Sequence, residues 1–174
     1  MVRSIWWVTS QEAEAEPAAP GTGLLVVHHS RTGSTDRLCQ AALQAAGAVL
    51  SGPDVAVVAR DAFQAGPQDV LSAGGILMCT PARFGYMSGA LKDFLERIYH
   101  PCLQHTRGLP YALIVKGDTD VDGAVASVER IVAGLGWRRV LPVVAAVGDV
   151  TPEHLEAAAE LGETLAAGIE AGIF

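Results

Sequence analysis

Short, continuous apolar runs alternate along this chain with segments of helical periodicity. The runs occupy residues 24–27, 55–58, 75–79, 111–115 and 140–147. Short unbroken apolar runs are typical of strands buried on both faces of a parallel sheet. Such strands need helical crossovers between them, and apolar residues at helical spacing fill the intervals. The pattern therefore predicts a doubly wound α/β fold with three layers, whose five parallel strands allow the order 2-1-3-4-5.

Polar and conformationally special residues mark where the helices should begin and end. Ser88, Asp122 and Thr151 are predicted N-caps, because their side-chain oxygens can accept a hydrogen bond from a helix N–H group. Gly136 is predicted to end the helix that carries Val128 and Val132. The predicted apolar stripes contain the following residues: Leu38, Ala42, Leu43, Ala46; Leu91, Phe94, Leu95, Ile98; Val121, Val125, Val128, Val132, Leu135; Leu155, Leu161, Leu165, Ile169.

The length and the N-terminal composition divide the chain into a tail and one domain. The 174 residues fit a single domain. Residues 11–20 contain Glu, Ala and Pro without any period, which predicts a solvated segment. We therefore expect a mobile tail over residues 1–23 and a domain over residues 24–174. Trp6 and Trp7 offer a weak signal for docking of that tail.

Composition excludes several classes of protein. Half of the residues are hydrophobic and 18% are charged, which excludes a disordered chain. The net charge of −7 disfavours binding to nucleic acid, because an acidic surface repels phosphate backbones. We expect no association with membranes, since no apolar run approaches the length of a transmembrane helix. Cys39, Cys79 and Cys102 form no CxxC pair, and a reduced, cytoplasmic setting is the simplest expectation.

A hydroxyl-rich loop follows the first predicted strand. Ligands bind at the carboxyl ends of the strands in this class of fold. The loop provides four hydroxyl groups, a permissive glycine and a run of N–H groups at a helix start, all of which suit a phosphate group. It has neither the Lys-Ser/Thr ending of a P-loop nor a GxGxxG fingerprint. Its residues are Ser30, Arg31, Thr32, Gly33, Ser34 and Thr35.

Two more unusual loops follow the third and fourth predicted strands. The first of them, rich in Pro and Gly, offers backbone donors and acceptors at close range to a planar ring. Its residues are Thr80, Pro81, Ala82, Arg83, Phe84 and Gly85, followed by Tyr86 and Met87. The other loop contains Gly117, Asp118, Thr119 and Asp120 after Lys116.

Together these three loops resemble those of the flavodoxin-like family over residues 24 to about 170. The first resembles the loop that holds the FMN phosphate in flavodoxins. The second resembles the flavin-ring loop of flavodoxin-like NAD(P)H:quinone reductases, and the third resembles the Gly-Asp loop on the other side of the ring. The resemblance implies a flavodoxin-like fold, FMN as cofactor and the three loops as cofactor-binding residues. With such a ring in place, we expect Phe84 or Tyr86 to shield it, and Arg83 either to place positive charge beside it or to bind the phosphate of a nicotinamide nucleotide.

One departure from the resemblance favours an enzyme over an electron carrier. Electron-carrier flavodoxins usually have an aromatic residue in the third loop, whereas this chain has Asp120 and Val121 there. An uncovered ring face leaves space for a second planar molecule. We therefore predict transfer of electrons from NAD(P)H to a quinone, flavin or similar acceptor, without a catalytic side chain. The alternative is a non-enzymatic electron-transfer protein that docks with a redox protein.

A second subunit is the expected cover for the open ring face. Reductases of this family often build that wall from a neighbouring subunit, so the resemblance implies a homodimer or homotetramer. We expect the segment after the third long helix to contribute the wall, through Ile98, Tyr99, Pro101 and Leu103.

Two metal-binding alternatives remain open at this point. Asp118, Asp120, Asp122, Gly123 and Glu129 satisfy the EF-hand calcium pattern, although a strand rather than a helix precedes them. The segment 100–105 supplies two histidines and a cysteine, predicted to follow the helix, which is one ligand short of a structural zinc site. We expect no metal at either place.

Overall fold

A computed structural model of the protein describes residue 21 and residues 23–50 and 56–174. The strands are β1 (Gly23–His28), β2 (Val57–Asp61), β3 (Ala73–Pro81), β4 (Pro110–Gly117), β5 (Arg138–Arg139) and β6 (Val144–Val147). The helices are α1 (Ser34–Val49), α2 (Pro67–Leu71), α3 (Gly89–Cys102), α4 (Asp122–Gly134) and α5 (Pro152–Glu170). The predicted tail, with Trp6 and Trp7, lies almost wholly outside the described residues.

All strand pairs in the sheet are parallel, and the order is β2-β1-β3-β4-β5, with β6 also paired to β4. Leu25 lies between Val58 of β2 and Ile76 of β3. Met78 of β3 in turn lies opposite Leu113 of β4. The predicted α/β class, the parallel sheet and the strand order are therefore confirmed.

The predicted fifth strand is interrupted. Instead of one strand over residues 140–147, the structure has β5 at Arg138–Arg139 and β6 at Val144–Val147, both beside β4. The interruption contains Pro142, which has no N–H to donate and fixes its own φ. The prediction that this strand forms an edge is confirmed, because both pieces pair with β4 alone among the described strands.

The second strand lies later in the sequence than expected. The prediction was residues 55–58, but β2 runs over Val57–Asp61 and residue 55 lies outside the described residues. Apolar character failed to locate the strand because β2 is an edge strand. Two of its residues, Ala59 and Arg60, are exposed.

Two apolar layers flank the sheet, and each involves its own helices. On one face, α1 and α5 pack through residues such as Leu38 and Leu165. On the other face, α2, α3 and α4 pack through Val70, Phe94 and Val128. These residues are almost fully buried, as expected for strands covered on both sides. In the described part of the chain, no helix has the length and apolar character to cross a membrane.

The predicted helix ends are largely confirmed. The Ser88 Oγ accepts a hydrogen bond from the Leu91 N–H at 3.2 Å, and the Thr151 Oγ1 accepts one from the His154 N–H at 3.4 Å. Gly136 follows the end of α4 with φ +71°. The prediction that Asp122 is an N-cap was wrong, because α4 begins at Asp122 and Val121 occupies the N-cap position.

The prediction that the end of α3 lies near the ring side of the sheet, where it could form a subunit wall, was wrong. Helix α3 starts at the carboxyl edge of the sheet and runs back toward the opposite edge, so Tyr99 lies roughly 15 Å along the axis from its start. The Tyr99 side chain packs against Gly134 of α4, and Ile98 is fully buried. The helix also continues through His100 and Pro101 rather than ending before them.

The contact between α1 and α5 yields a test of the packing. A methyl group on Gly162 of α5 would overlap the backbone of Ala42 in α1, whereas one on Gly47 of α1 would meet no neighbour. We expect Gly162→Ala to lower the free energy of unfolding by about 1–3 kcal/mol through overpacking. Gly47→Ala should raise it by about 0.5–1 kcal/mol through helix propensity. Urea unfolding of both variants measures the difference, and equal effects would contradict the close helix contact.

Candidate functional site

Three loops converge at the carboxyl edge of the sheet, as the parallel topology requires. They follow β1, β3 and β4, which are neighbours in the sheet. Between them lies a small cavity of about 70 Å³. Its lining residues are Arg31, Thr32, Ser34, Thr35, Pro81, Ala82, Arg83, Lys116, Gly117 and Asp118.

The first loop presents the start of α1 to this cavity without a side-chain cap. The N-cap residue is Gly33, with φ +86°, a conformation that disfavours residues with a Cβ. The Ser30 Oγ accepts a hydrogen bond from the Gly33 N–H at 3.1 Å, which stabilises the turn. Among the described residues, the N–H groups of Ser34 and Thr35 have no hydrogen-bond partner. They are therefore free to bind an anion at the positive end of the helix dipole.

The second loop forms a tight hairpin over residues 83–86. Arg83 and Tyr86 exchange two backbone hydrogen bonds, of 2.7 and 2.9 Å. Phe84 at the tip has φ +52°, and its side chain is fully exposed. A positive φ costs a residue with a Cβ about 1–2 kcal/mol. The structure therefore holds an exposed aromatic side chain in a strained position, a combination that often marks functional sites.

Buried hydrogen bonds hold this hairpin in place. The Met87 N–H donates to the Ser127 Oγ of α4 at 3.1 Å, and the Ser88 N–H donates to the Thr80 Oγ1 at 3.0 Å. Gly123 of α4 lies so close to the Gly85 carbonyl that a methyl group there would overlap it. The Thr80 hydroxyl is buried and anchors the loop.

The third loop closes the cavity on the side of β4. The Lys116 Nζ forms an ion pair with the Asp118 carboxylate. The ammonium group of Lys116 lowers the pKa of Asp118, and the Arg83 charge acts in the same direction. The Lys116 carbonyl accepts a hydrogen bond from the Ala82 N–H at 2.7 Å, which joins the second and third loops.

Positive charge accumulates around the small cavity although the whole chain is acidic. Arg31, Arg83 and Lys116 line it, against the single carboxylate of Asp118. The Arg83 Nε is buried and has no hydrogen-bond partner among the described residues. A buried donor without a partner is costly, so an acceptor bound in the cavity would stabilise this side chain. The arrangement suits a phosphate group.

The structure brings together only part of the predicted set of ligands. Nine predicted residues line the small cavity, while Ser30, Gly33, Thr80, Phe84 and Gly85 shape the loops around it. Thr119 and Asp120 are exposed away from the cavity, and the Asp120 Oδ1 accepts a hydrogen bond from the Asp122 N–H at 2.9 Å. Lys116 was not among the predicted ligands. Its position beside Gly117 at the end of β4 was the available signal.

A larger cavity of about 600 Å³ adjoins the small one. The two share Arg31, Pro81 and Arg83. Sequence patterns do not reveal this cavity, because two of its residues, His29 and Phe63, lie outside any recognisable motif. Its lining residues are His29, Arg31, Phe63, Pro81, Arg83, Phe84, Met87, Ser88, Gly89 and Ala90.

Neither candidate metal site has its ligands close together in the described part of the chain. Glu129 lies within α4 and pairs with Arg139 instead of folding back toward Asp118. Cys102 is buried while His100 and His105 are exposed. No group of three His, Cys, Asp or Glu side chains that suits a metal occurs among the described residues.

Comparisons with known proteins identify the fold. No protein-family model matches the sequence, and no curated protein matches it. The chain is similar in structure to a flavodoxin from the domain Archaea (TM-score 0.72, 15% identity, covering 85% of this chain and 99% of that one). It is also similar to a flavodoxin, WrbA-like protein from Agrobacterium tumefaciens (TM-score 0.71, 16% identity, covering 86% of this chain and 98% of that one).

A third solved structure contains the same fold as part of a larger protein. It is the rubredoxin oxygen:oxidoreductase from Desulfovibrio gigas (TM-score 0.73, 13% identity, covering 88% of this chain). This chain spans 37% of that protein but nearly all of the two flavodoxins. These similarities show that the chain has the flavodoxin-like fold.

The anchor of the second loop yields a prediction on local stability. Ser127→Ala removes the acceptor of the buried Met87 N–H, which should lower the free energy of unfolding by about 1–3 kcal/mol. Hydrogen exchange at the Met87 amide should accelerate more than exchange in the central strands. The matched control is Thr164→Ala, which removes an exposed hydroxyl from α5 and should leave the Met87 amide unchanged. Unchanged exchange in Ser127→Ala would show that the loop is held by other contacts.

Proposed function

We propose that this flavodoxin-like chain binds one FMN non-covalently and transfers electrons from NAD(P)H to a quinone, flavin or similar planar acceptor. The observation that carries the proposal is the small cationic cavity at the uncapped start of α1, where three loops meet. It has the donors that a phosphate monoester needs. Similarity to flavodoxins in fold supports the same assignment.

The residues around the small cavity fit the phosphate of FMN. The free N–H groups of Ser34 and Thr35 would donate to its oxygens, and the hydroxyls of Thr32, Ser34 and Thr35 add further donors. Lys116 would balance its charge. A cavity of about 70 Å³ has room for this group alone, so the ring would lie beyond it, against the loops that contain Arg83 and Gly117.

The chemistry would reside in the cofactor, which accepts a hydride from a nicotinamide when it is bound. The chain itself would bind the cofactor and orient it. The Arg83 guanidinium would stabilise negative charge on a reduced ring, and its unpartnered Nε is available for that role. Phe84 and Tyr86 would contact the molecule that exchanges electrons at the rim, since both are exposed there.

An electron carrier is the second candidate. The exposed aromatic residues at the hairpin also fit a docking surface for a redox protein, and such surfaces often contain aromatic residues. Self-association into a homodimer or homotetramer stays part of the proposal. Light scattering at micromolar concentration tests it, and a mass of 18.1 kDa would contradict it.

The FMN assignment is tested by two glycine substitutions with the same backbone strain. Gly33 and Gly108 both have positive φ, and a methyl group on either would meet no neighbour. Each Gly→Ala change should lower the free energy of unfolding by about 1–2 kcal/mol. Only Gly33→Ala should weaken FMN binding, because Gly108 precedes β4 at the opposite edge of the sheet. Calorimetric titration of FMN into each variant measures the affinity.

Removal of hydroxyl groups tests the same cavity without changing the backbone. Thr32→Val combined with Ser34→Ala should weaken FMN binding about tenfold or more, since each lost hydrogen bond to a charged phosphate is worth roughly 1.5–3 kcal/mol. Riboflavin, which has no phosphate, should bind both proteins equally. No FMN binding to the unaltered protein at micromolar concentration would refute the proposal.

Steady-state kinetics separates the enzyme from the carrier. We expect the FMN-supplemented protein to oxidise NADPH or NADH continuously with benzoquinone as acceptor. Protein from which FMN has been removed is the control and should show no turnover. If the protein binds FMN but does not oxidise NADPH or NADH continuously, the result would favour an electron carrier.

A further inference from the structure

The larger cavity next to the proposed FMN site has the charge of an anion-binding site. Arg31, Arg83 and His29 line it, and none of the described residues that line it is acidic. Arg31 is exposed and makes no ion pair with the described residues. The His29 Nδ1 is buried without a hydrogen bond, 3.8 Å from the Asp61 carboxylate. The Arg31 guanidinium is thus available to a ligand in this cavity.

The same cavity has two exposed aromatic walls. The side chains of Phe63 and Phe84 are among the most exposed large apolar groups in the described chain, at 62% and 108%. Such exposure costs hydrophobic free energy unless a ligand covers the rings. A planar base fits between aromatic walls of this kind, because stacking on an aromatic ring needs no particular hydrogen-bond pattern.

The loop that carries Phe63 is fixed before any ligand binds. The Arg97 side chain of α3 donates to the carbonyls of Ala65 and Ala62 at 2.6 and 2.7 Å. The Phe63 N–H donates to the Asp61 Oδ1 at 2.9 Å, and the Phe63 ring meets the His29 ring edge to face at 5.6 Å. A wall held in this way loses little entropy on binding, which strengthens binding.

The start of α3 forms the floor of the cavity and contributes further donors. The Ser88 side chain and carbonyl accept from the Leu91 and Lys92 N–H groups, while the Gly89 and Ala90 N–H groups have no partner among the described residues. Gly89 lines the cavity, and a Cβ there would meet only open space. The helix is long enough for its dipole to support anion binding at this end.

We propose that this cavity binds the adenine-ribose end of the electron donor and selects NADPH over NADH. Sites for NADH usually offer a carboxylate to the ribose 2′-hydroxyl, whereas an arginine accommodates the 2′-phosphate of NADPH. Here Arg31 meets the 2′-phosphate, and Phe63 and Phe84 flank the base. A cavity of about 600 Å³ is within the range of small-molecule sites. The assignment of the ligand as an electron donor rests on the proposed function.

The experiment measures binding at equilibrium, apart from turnover. Adenosine 2′,5′-bisphosphate and 5′-AMP are titrated by calorimetry into the protein with and without added FMN. The 2′-phosphate makes charge-assisted hydrogen bonds, so we expect the bisphosphate to bind about tenfold or more tightly than 5′-AMP in both cases. With FMN present, NADP⁺ should exceed NAD⁺ in affinity by a similar factor.

Filling the cavity supplies the structural test. Gly89→Leu places a side chain in the open space and should weaken bisphosphate binding about tenfold or more, while FMN binding stays unchanged. Phe63→Ala should weaken bisphosphate binding by roughly fivefold to a hundredfold through lost stacking. The matched control is Gly47→Leu, where the Cβ is equally free of neighbours but lies on α1. It should bind both ligands as the unaltered protein does, and circular dichroism checks the folding of each variant.

Three outcomes would overturn the inference. Equal affinity for the bisphosphate and 5′-AMP would show that no 2′-phosphate is recognised. Unchanged bisphosphate binding in Gly89→Leu would place its site elsewhere. Loss of FMN binding in Gly89→Leu would assign the larger cavity to the flavin itself. Failure of the unaltered protein to bind FMN refutes the proposed function instead, while bisphosphate binding without FMN still tests the cavity.

Discussion

Parallel pairing of β3 with β1 on one side and β4 on the other is the constraint on which the rest of the molecule depends. Because all three strands point the same way, their following loops emerge at one edge. The chain then leaves β1 toward the face of α1 and α5, and leaves β3 toward the face of α3 and α4. The divergence of these two loops creates an opening at the carboxyl edge of the sheet.

Rigidity in the sheet permits strain and unpaired donors at this opening. The strands and the flanking helices are buried and apolar, so their packing is sufficient to hold unfavourable groups at the edge. Gly33 and Phe84 have positive φ there, and the Arg83 Nε is buried without a partner. The Met87 and Ser88 N–H groups donate hydrogen bonds to the Ser127 and Thr80 hydroxyls, which hold the strained hairpin in place. The site therefore has its binding groups arranged before any ligand arrives, which lowers the entropy cost of binding.

Sequence patterns predicted the structure correctly where an interaction between residues close in the chain determines it. Ser88 and Thr151 cap helices because a side-chain oxygen reaches an N–H group three residues later, which depends on local geometry alone. Where the patterns failed, a neighbour in space decided the outcome. Asp122 has the chemistry of a cap, but its own N–H donates to Asp120 and the helix starts one position earlier than expected. Tyr99 was expected beside the site, but the direction of α3 carries it to the opposite edge of the sheet.

By itself, the sequence determined the class of fold and the three loops at the carboxyl edge, because strand burial and helix periodicity follow from the spacing of apolar residues. The strand order came from the resemblance to flavodoxins. Only the tertiary structure decided which side chains of those loops meet. It brought Lys116 to the same small cavity as the first loop, made the Thr80 hydroxyl an anchor of the second loop, and brought His29 and Phe63 to the same cavity as Phe84. These residues are far apart in the chain, and their distances follow from how loops pack across the sheet edge. No local spacing encodes such packing, since loops lack the periodicity that links sequence to position.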